Sequence, residues 1–219
     1  MTRSQGRAPI HVRAWGATLL LGLLVGAASL LGDSAGIRLL NGLANAAAPW
    51  LLVAFVCGAL HRGPVAGAIA GATALLIGVL VYYLGVPFVF GADHAYAGPL
   101  IAMWLAGSVV GGGVAGGAGP TWSGAESPRR AIAGALPAAA LFGEAAHRFV
   151  QVEPWEGIYL LSTYAQVMLA EAIAGVVVLW FVSRGRERRT GYLAVAGLSV
   201  AGLAALVAVE RLARTLAFQ

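Results

Sequence analysis

The sequence has no lysine, a single cysteine and little charge of either sign. Of its 219 residues, 11% are charged and 59% are hydrophobic, and the mean hydropathy is +0.82. A soluble domain of this length needs a polar surface around its core, so the composition excludes an ordinary soluble fold. The one cysteine, Cys57, excludes an intramolecular disulfide and a thiolate metal site, and its place in an apolar stretch favours a buried hydrophobic role.

Seven long apolar stretches make up most of the chain. Each has roughly the 20 residues that cross about 30 Å of hydrocarbon. Because lipid offers no partner to free backbone groups, and because the runs are continuous rather than alternating, they predict helices and not a β-barrel. The predicted fold is all-α, a polytopic transmembrane helical bundle of about seven helices that forms one integral membrane domain over residues 1–219. The stretches are Ala14–Leu31, Leu39–Leu60, Pro64–Leu84, Pro99–Ala118, Ala131–Val150, Ile158–Val182 and Tyr192–Val209.

The first stretch has a second interpretation. Arg3, Arg7 and Arg13 form a basic region ahead of it, as in a secretory signal peptide. The stretch is long for the apolar part of such a peptide, and no small-residue cleavage site follows it before Asp33. The sequence therefore favours a retained helix, and the bundle has six helices if the first is cleaved or does not span.

The arginines concentrate on one side of the predicted bundle. A net charge of +5 would suggest nucleic acid as the partner of a soluble protein, but here the positive-inside rule explains it, so no nucleic acid is expected. The predicted location is the inner (plasma) membrane, with the lipid bilayer as partner and the amino terminus in the cytoplasm. The arginines that face inward are then Arg3, Arg7, Arg13, Arg62, Arg129, Arg130, Arg184, Arg186, Arg188 and Arg189. The charged residues that face outward are Arg38, Arg148, Arg211, Arg214, Asp33, Asp93, Glu153 and Glu156.

Familiar enzyme and cofactor motifs give no support to a catalytic function. Gly111–Gly116 fits G-x-G-x-x-G, but it lacks the preceding strand and the following acidic residue that give this fingerprint its mechanism. H-E-x-x-H does not occur, and no nucleophile and base are paired at matched depth. The sequence predicts neither an enzyme nor a cofactor.

Ionisable residues cluster on one face of the fifth predicted helix. Glu144, His147, Arg148 and Gln151 are spaced i, i+3, i+4 and i+7, which places all four on one side. An unpaired charge near the bilayer centre costs about 2.5 to 3.5 kcal/mol on insertion scales, so such residues usually face the bundle interior. Glu144 and Arg148 also have the spacing of an ion pair within one helix.

Two further helices carry polar residues at a similar depth. Glu171 lies deep in the sixth predicted helix, and Arg38, Asn41 and Asn45 follow one face of the second, ahead of a predicted kink at Pro49. If the three helices face each other, these groups line a cavity open to the outside. The predicted rim consists of Asp33, Asp93, His94, Glu153 and Glu156.

Three interpretations of these polar residues remain open. They join helices through buried hydrogen bonds, or they line a cavity for a ligand or ion, or they bind a metal. Glu144-x-x-His147 is half of the di-iron carboxylate pattern, but only one copy exists, so no metal is predicted. Small residues spaced by four, as in Gly67 and Gly71, favour close helix packing within the bundle over an interface with a partner subunit.

A resemblance covers about a third of the chain. The run Ala-Pro49-Trp50-Leu-Leu-Val-Ala-Phe55, the short His61-Arg62-Gly63 turn and the pair Tyr82-Tyr83 resemble an uncharacterised family of actinobacterial multi-pass membrane proteins. In size and character the chain is also similar to the substrate-binding S-components of energy-coupling-factor transporters. That similarity implies about six helices and an outward-facing pocket.

The leading functional hypothesis is an integral membrane protein that binds or translocates a small polar solute through an outward-facing intramembrane cavity. The alternative is a non-transporting scaffold or accessory subunit that docks a membrane partner through its small-residue faces. In the first hypothesis Arg148 holds an anionic group, and Glu144 and His147 fix or exchange a proton. The residues predicted to line the pocket are Asn41, Asn45 and Glu171.

Overall fold

Every regular element that the structure describes is a helix. The computed structural model describes residues 8–91, 98–124, 128–151, 163–182 and 188–217, and no β-strand occurs in these ranges. The predicted all-α fold is therefore confirmed. The helices are α1 (Ala8–Ser34), α2 (Arg38–Ala44), α3 (Ala47–Ala59), α4 (Pro64–Phe90), α5 (Gly98–Gly124), α6 (Pro128–Gln151), α7 (Thr163–Val182) and α8 (Arg188–Ala217).

Five of these helices are long and apolar enough to cross a membrane. They are α1, α4, α5, α7 and α8, and a sixth span is added if α2 and α3 count as one broken span. The chain is thus a membrane-embedded protein. The stretch predicted as the fifth span corresponds to α6, which is long enough but is not among the five, because its polar residues lower its hydropathy. A helix enclosed by its neighbours does not need an apolar surface on every side.

The second predicted stretch, Leu39–Leu60, is divided into two helices. α2 and α3 meet at an angle of 53°. The predicted kink at Pro49 is therefore wrong in position, because the chain breaks earlier, at Asn45 and Ala46. Pro49 is the third residue of α3. Backbone N–H groups in the first turn have no hydrogen-bond partner within the helix, so proline is tolerated there although it has no N–H.

Two packed groups of helices share α6. In the first group, α1, α3, α4 and α5 surround a core that includes Trp50, Phe55, Leu75 and Val79. In the second, α7 and α8 pack on α6 around Ala135 and neighbouring small residues. Because α6 also contacts α3 and α5, its polar residues lie between the two groups.

Glycines allow α4 and α5 to approach until their backbones touch. A Cβ atom added at Gly71 would lie 2.7 Å from the Cα atom of Gly116, and one added at Gly112 would lie 3.0 Å from the carbonyl oxygen of Gly71. Gly22 and Gly26 of α1 pack in the same way against α4. These small residues serve packing within the bundle, as predicted.

The two ends of the bundle differ in charge. The "Arg62 end", where α1 begins and α3 ends, carries Arg13, Arg62, Arg129, Arg130, Arg188 and Arg189. The "Asp33 end", where α1, α4 and α6 end, carries Asp33, Arg38 and Arg148 together with the break between α2 and α3.

Candidate functional site at a broken helix

Glu144 of α6 satisfies the open end of α3. The first turn of a helix leaves its N–H groups without internal partners. Here the N–H of Ala47 donates to Oε1 of Glu144 at 3.1 Å, and the N–H of Ala48 donates to Oε2 at 2.7 Å. Pro49 has no N–H, and Ala46 donates to a carbonyl of the preceding turn. Every amide of this turn is accounted for, although Ala46 has no side chain that could cap the helix.

Arg148 and Trp50 bind the carbonyl groups on the other side of the break. The guanidinium of Arg148 donates to the carbonyl oxygen of Gly42 at 3.5 Å, and the indole N–H of Trp50 donates to that of Ala44 at 3.4 Å. The carboxylate therefore lies at the positive end of α3, and the guanidinium lies at the negative end of α2. One pair of residues from α6 thus complements both helices that meet at the break.

The same arginine joins two acids. Arg148 Nη2 lies 3.1 Å from Oε1 of Glu144, and its Nε lies 3.3 Å from both carboxylate oxygens of Glu171. The Glu171 side chain is fully buried, and only 13% of the Arg148 side chain is exposed. The triad therefore joins α7 to α6 beside the break. Removing any one member would leave a buried charge unpaired.

A second polar cluster lies beside the triad, around Asp33 at the end of α1. Its Oδ1 accepts hydrogen bonds from the side-chain amides of Asn41 at 2.8 Å and Asn45 at 2.6 Å. Its Oδ2 accepts one from the hydroxyl group of Tyr82. Asn45 also donates to the carbonyl oxygen of Asn41 at 3.0 Å. Asp33 thus connects α1, the break and α4 through three neutral donors.

A cavity of about 330 Å³ lies on the α4 and α5 side of the break. Its polar and aromatic lining residues are Asn45, Trp50, Tyr82, Tyr83 and Trp104, and the other side chains are apolar. Two of the residues that line it, Asn45 and Leu100, are exposed, so the cavity reaches the surface of the bundle.

The structure brings five of the six predicted site residues together in two adjoining clusters. Glu144, Arg148 and Glu171 form the triad, whereas Asn41 and Asn45 belong to the Asp33 cluster, and Asn45 alone lines the cavity. His147 is half-buried on α6, next to Arg148 in sequence. The predicted rim residues Asp93, His94, Glu153 and Glu156, and the side chain of Gln151, lie outside the described residues. Ligand binding by the six residues stays a prediction.

Sequence reasoning missed the aromatic walls of the cavity. In the sequence, Trp50, Tyr82 and Tyr83 stand out only through the family resemblance, and nothing singles out Trp104. A usable signal was that Trp50 and Trp104 lie within apolar stretches, away from the interfaces where such residues concentrate. Asp33 was expected as a rim residue, and its three hydrogen bonds make it the centre of a cluster.

A third buried polar contact lies at the Arg62 end. His61, in the turn between α3 and α4, is 6% exposed and lies 3.1 Å from the hydroxyl oxygen of Thr18. Trp15 contacts the same imidazole edge-on, with ring centroids 4.7 Å apart. The predicted loop position of His61 is confirmed, and the hydrogen bond joins α1 to the α3–α4 turn.

Comparisons with known proteins identify a family and nothing further. Neither a curated protein nor a solved structure matches the chain. The sequence profile of one family matches residues 6–215, which is nearly the whole chain. The protein therefore belongs to DUF6518, a family of unknown function.

Proposed function

We propose that this protein binds a small solute in the cavity at the helix break and helps it to enter or cross the membrane. The observation that carries the proposal is the position of the cavity, which shares Asn45 and Trp50 with the broken span. Broken helices whose free backbone ends lie within the membrane are a recurrent element of solute-binding sites in transporters.

The triad supports this proposal through its structural role. An α2–α3 break exposes backbone groups that lipid cannot satisfy, and Glu144 and Arg148 satisfy them at both ends. A continuous helix would need neither residue, so the chain carries two charged side chains within the bundle to keep the break. In this proposal the triad holds the break in shape, and the cavity beside it receives the solute.

The orientation follows from the arginines. Six described arginines lie at the Arg62 end, so this end faces the cytoplasm under the positive-inside rule. The Asp33 end and its cavity then face outward, and α6 provides a seventh crossing within the bundle. The plasma membrane, the cytoplasmic amino terminus and an outward-facing pocket, which the resemblance to S-components also implies, are parts of this proposal.

The test is ligand-induced stabilisation in a protein whose cavity has been filled. Val86 lines the cavity and is half-buried, so Val86→Trp places an indole ring in the space that the solute would occupy. Val110→Trp is the matched control, because Val110 is 67% exposed on α5. The purified proteins are screened against amines, amino acids, sugars, carboxylates and nucleosides in maltoside micelles, with thermal unfolding as the readout.

We expect at least one class of solute to raise the melting temperature of the wild type and of Val110→Trp, and to leave that of Val86→Trp unchanged. Equal stabilisation of all three proteins would place binding elsewhere, and no stabilisation by any class would remove the proposal. The scaffold hypothesis gains no specific support, because the glycines that suggested it are largely used inside the bundle.

A further inference from the structure

The walls of the cavity are mainly aromatic. Trp50 of α3, Trp104 of α5, and Tyr82 and Tyr83 of α4 all line it. The rings of the two tryptophans have centroids 5.9 Å apart and are tilted by 32°, and the two tyrosine rings are perpendicular, with centroids 5.0 Å apart. Three helices thus contribute ring surfaces to one space. Ring faces of this kind attract cations through their quadrupoles, and tryptophan does so most strongly.

A carboxylate lies immediately behind this wall. Tyr82 and Asn45 line the cavity, and both donate hydrogen bonds to Asp33. The donors of Asp33 are neutral amides and a phenol, so they hold its charge in place without neutralising it. The ion pairs found among the described residues are formed by Arg148 with Glu144 and Glu171, and none involves Asp33. Arg38, near Asp33 in sequence, is exposed.

These features leave the Asp33 carboxylate as an uncompensated negative charge beside the cavity. The described lining contains no arginine, and the closest charge in the hydrogen-bond network is the Asp33 carboxylate. An anion would be repelled there. A hard metal ion would need several oxygen ligands, whereas the polar side chains that line the cavity are one amide and two phenols. An organic cation instead exchanges its weak hydration for ring faces and the field of the carboxylate.

We propose that the cavity binds a small organic ammonium ion. The cationic head lies against the faces of Trp50, Trp104 and the tyrosines, near Asp33, and the apolar part of the ion contacts the aliphatic side chains of α4 and α5. This assignment rests on the proposed function, because it names the chemistry of the solute that the same cavity receives. It replaces the expectation that Arg148 selects an anionic solute.

The experiment compares cations with uncharged molecules of the same shape. Choline is paired with 3,3-dimethyl-1-butanol, which has carbon in place of the charged nitrogen, and 2-phenylethylammonium is paired with 2-phenylethanol. Binding is measured by isothermal titration in maltoside micelles at constant ionic strength, because phosphocholine detergents would carry the proposed head group themselves. We expect each cation to bind at least tenfold more tightly than its neutral partner.

Two variants test the two parts of the site. Asp33→Asn removes the charge but keeps a side chain that can accept hydrogen bonds, and it should weaken cation binding at least tenfold without affecting the neutral probes. Trp104→Leu removes one ring and should also weaken cation binding. Trp180→Leu is its control, because Trp180 of α7 is 62% exposed and distant in the fold from the cavity. If Asp33→Asn does not fold, the comparison of Trp104→Leu with Trp180→Leu tests the proposal on its own.

The outcomes separate this inference from the proposed function. Equal affinity for charged and neutral probes, both abolished by Val86→Trp, would overturn the ammonium assignment and leave a solute site in the cavity. If neither cation binds, but another class of solute stabilises the wild type and not Val86→Trp, the ammonium assignment is likewise overturned and a solute site in the cavity remains. Loss of every cavity-dependent effect would remove both proposals.

Discussion

The carboxylate of Glu144 lies 2.7 Å from the backbone nitrogen of Ala48, ninety-six positions away in the chain. The second carboxylate oxygen accepts the N–H of Ala47, so one side chain of α6 replaces the cap that α3 lacks. A carboxylate at a helix N-terminus is favoured both by hydrogen bonds and by the helix dipole. The break between α2 and α3 therefore depends on a residue of another helix.

Removing this cap should destabilise the protein and loosen the break. We expect Glu144→Ala to lower the free energy of unfolding by about 3 kcal/mol, because one buried amide, one half-buried amide and part of the Arg148 guanidinium lose their partner. Glu144→Gln keeps one acceptor and should lose less. Thermal unfolding followed by tryptophan fluorescence gives the order of stability, and hydrogen exchange should accelerate in peptides that contain Ala47 and Ala48. Wild-type stability and exchange in Glu144→Ala would contradict the capping role.

Arg148 should be the most sensitive member of the triad. Arg148→Ala leaves the carboxylates of Glu144 and Glu171 without their shared cation, and breaking a buried ion pair costs about 3 to 5 kcal/mol. Adding Glu171→Leu removes one of the two unpaired charges, so the double variant should recover part of the lost melting temperature. Arg38→Ala, at an exposed arginine, should stay within about 0.5 kcal/mol of the wild type. A double variant less stable than Arg148→Ala would show that the two residues do not act as a pair.

Two glycines of α5 should respond in opposite ways to the same substitution. A Cβ atom at Gly116 would lie 2.8 Å from the Cα atom of Gly71, so Gly116→Ala should force α4 and α5 apart and cost about 1 to 3 kcal/mol. At Gly113 nothing lies within 4 Å, and the better helix propensity of alanine should leave stability equal or slightly higher. The two melting temperatures in the same detergent provide the check. Equal losses at both positions would mean that packing between α4 and α5 does not limit stability.

The sequence was sufficient for the fold class and for the polar helix faces, because both depend on local periodicity. The spacing of Glu144 and Arg148 predicted an ion pair within one helix, and that pair is present. The depth of Glu171 and the polar face of Asn41 and Asn45 also follow from position along a helix.

The break and the cavity could not be predicted in the same way. The segment around Asn45 and Ala46 reads as apolar helix, and it is interrupted because Glu144, distant in sequence, satisfies the amides of Ala47 and Ala48. The cavity depends on which faces of α3, α4 and α5 meet, and close packing through glycines decides this rather than the period of any single helix. The rest of the site is formed by contacts between segments that are distant in sequence, which the periodicity of a single helix does not predict.

The single cysteine makes the orientation of the bundle directly testable. Cys57 is fully buried in α3, so a maleimide reagent should not reach it in the folded protein. Any labelling of a variant with one added cysteine then reports the added position. Ser34, at the end of α1, and Ser123, near the end of α5, are both exposed and lie at opposite ends of the bundle.

Ser34→Cys and Ser123→Cys should label from opposite sides of the membrane. In the proposed orientation the Arg62 end lies in the cytoplasm, so a membrane-impermeant maleimide added to intact cells should modify Ser34→Cys and spare Ser123→Cys. Permeabilised cells should give labelling of both, and the wild type should give none until it is denatured. Labelling of Ser123→Cys alone in intact cells would show that the orientation is the reverse and that the cavity faces the cytoplasm. The solute would then have to approach Asp33 from inside the cell, since the carboxylate and the cavity lie at the same end.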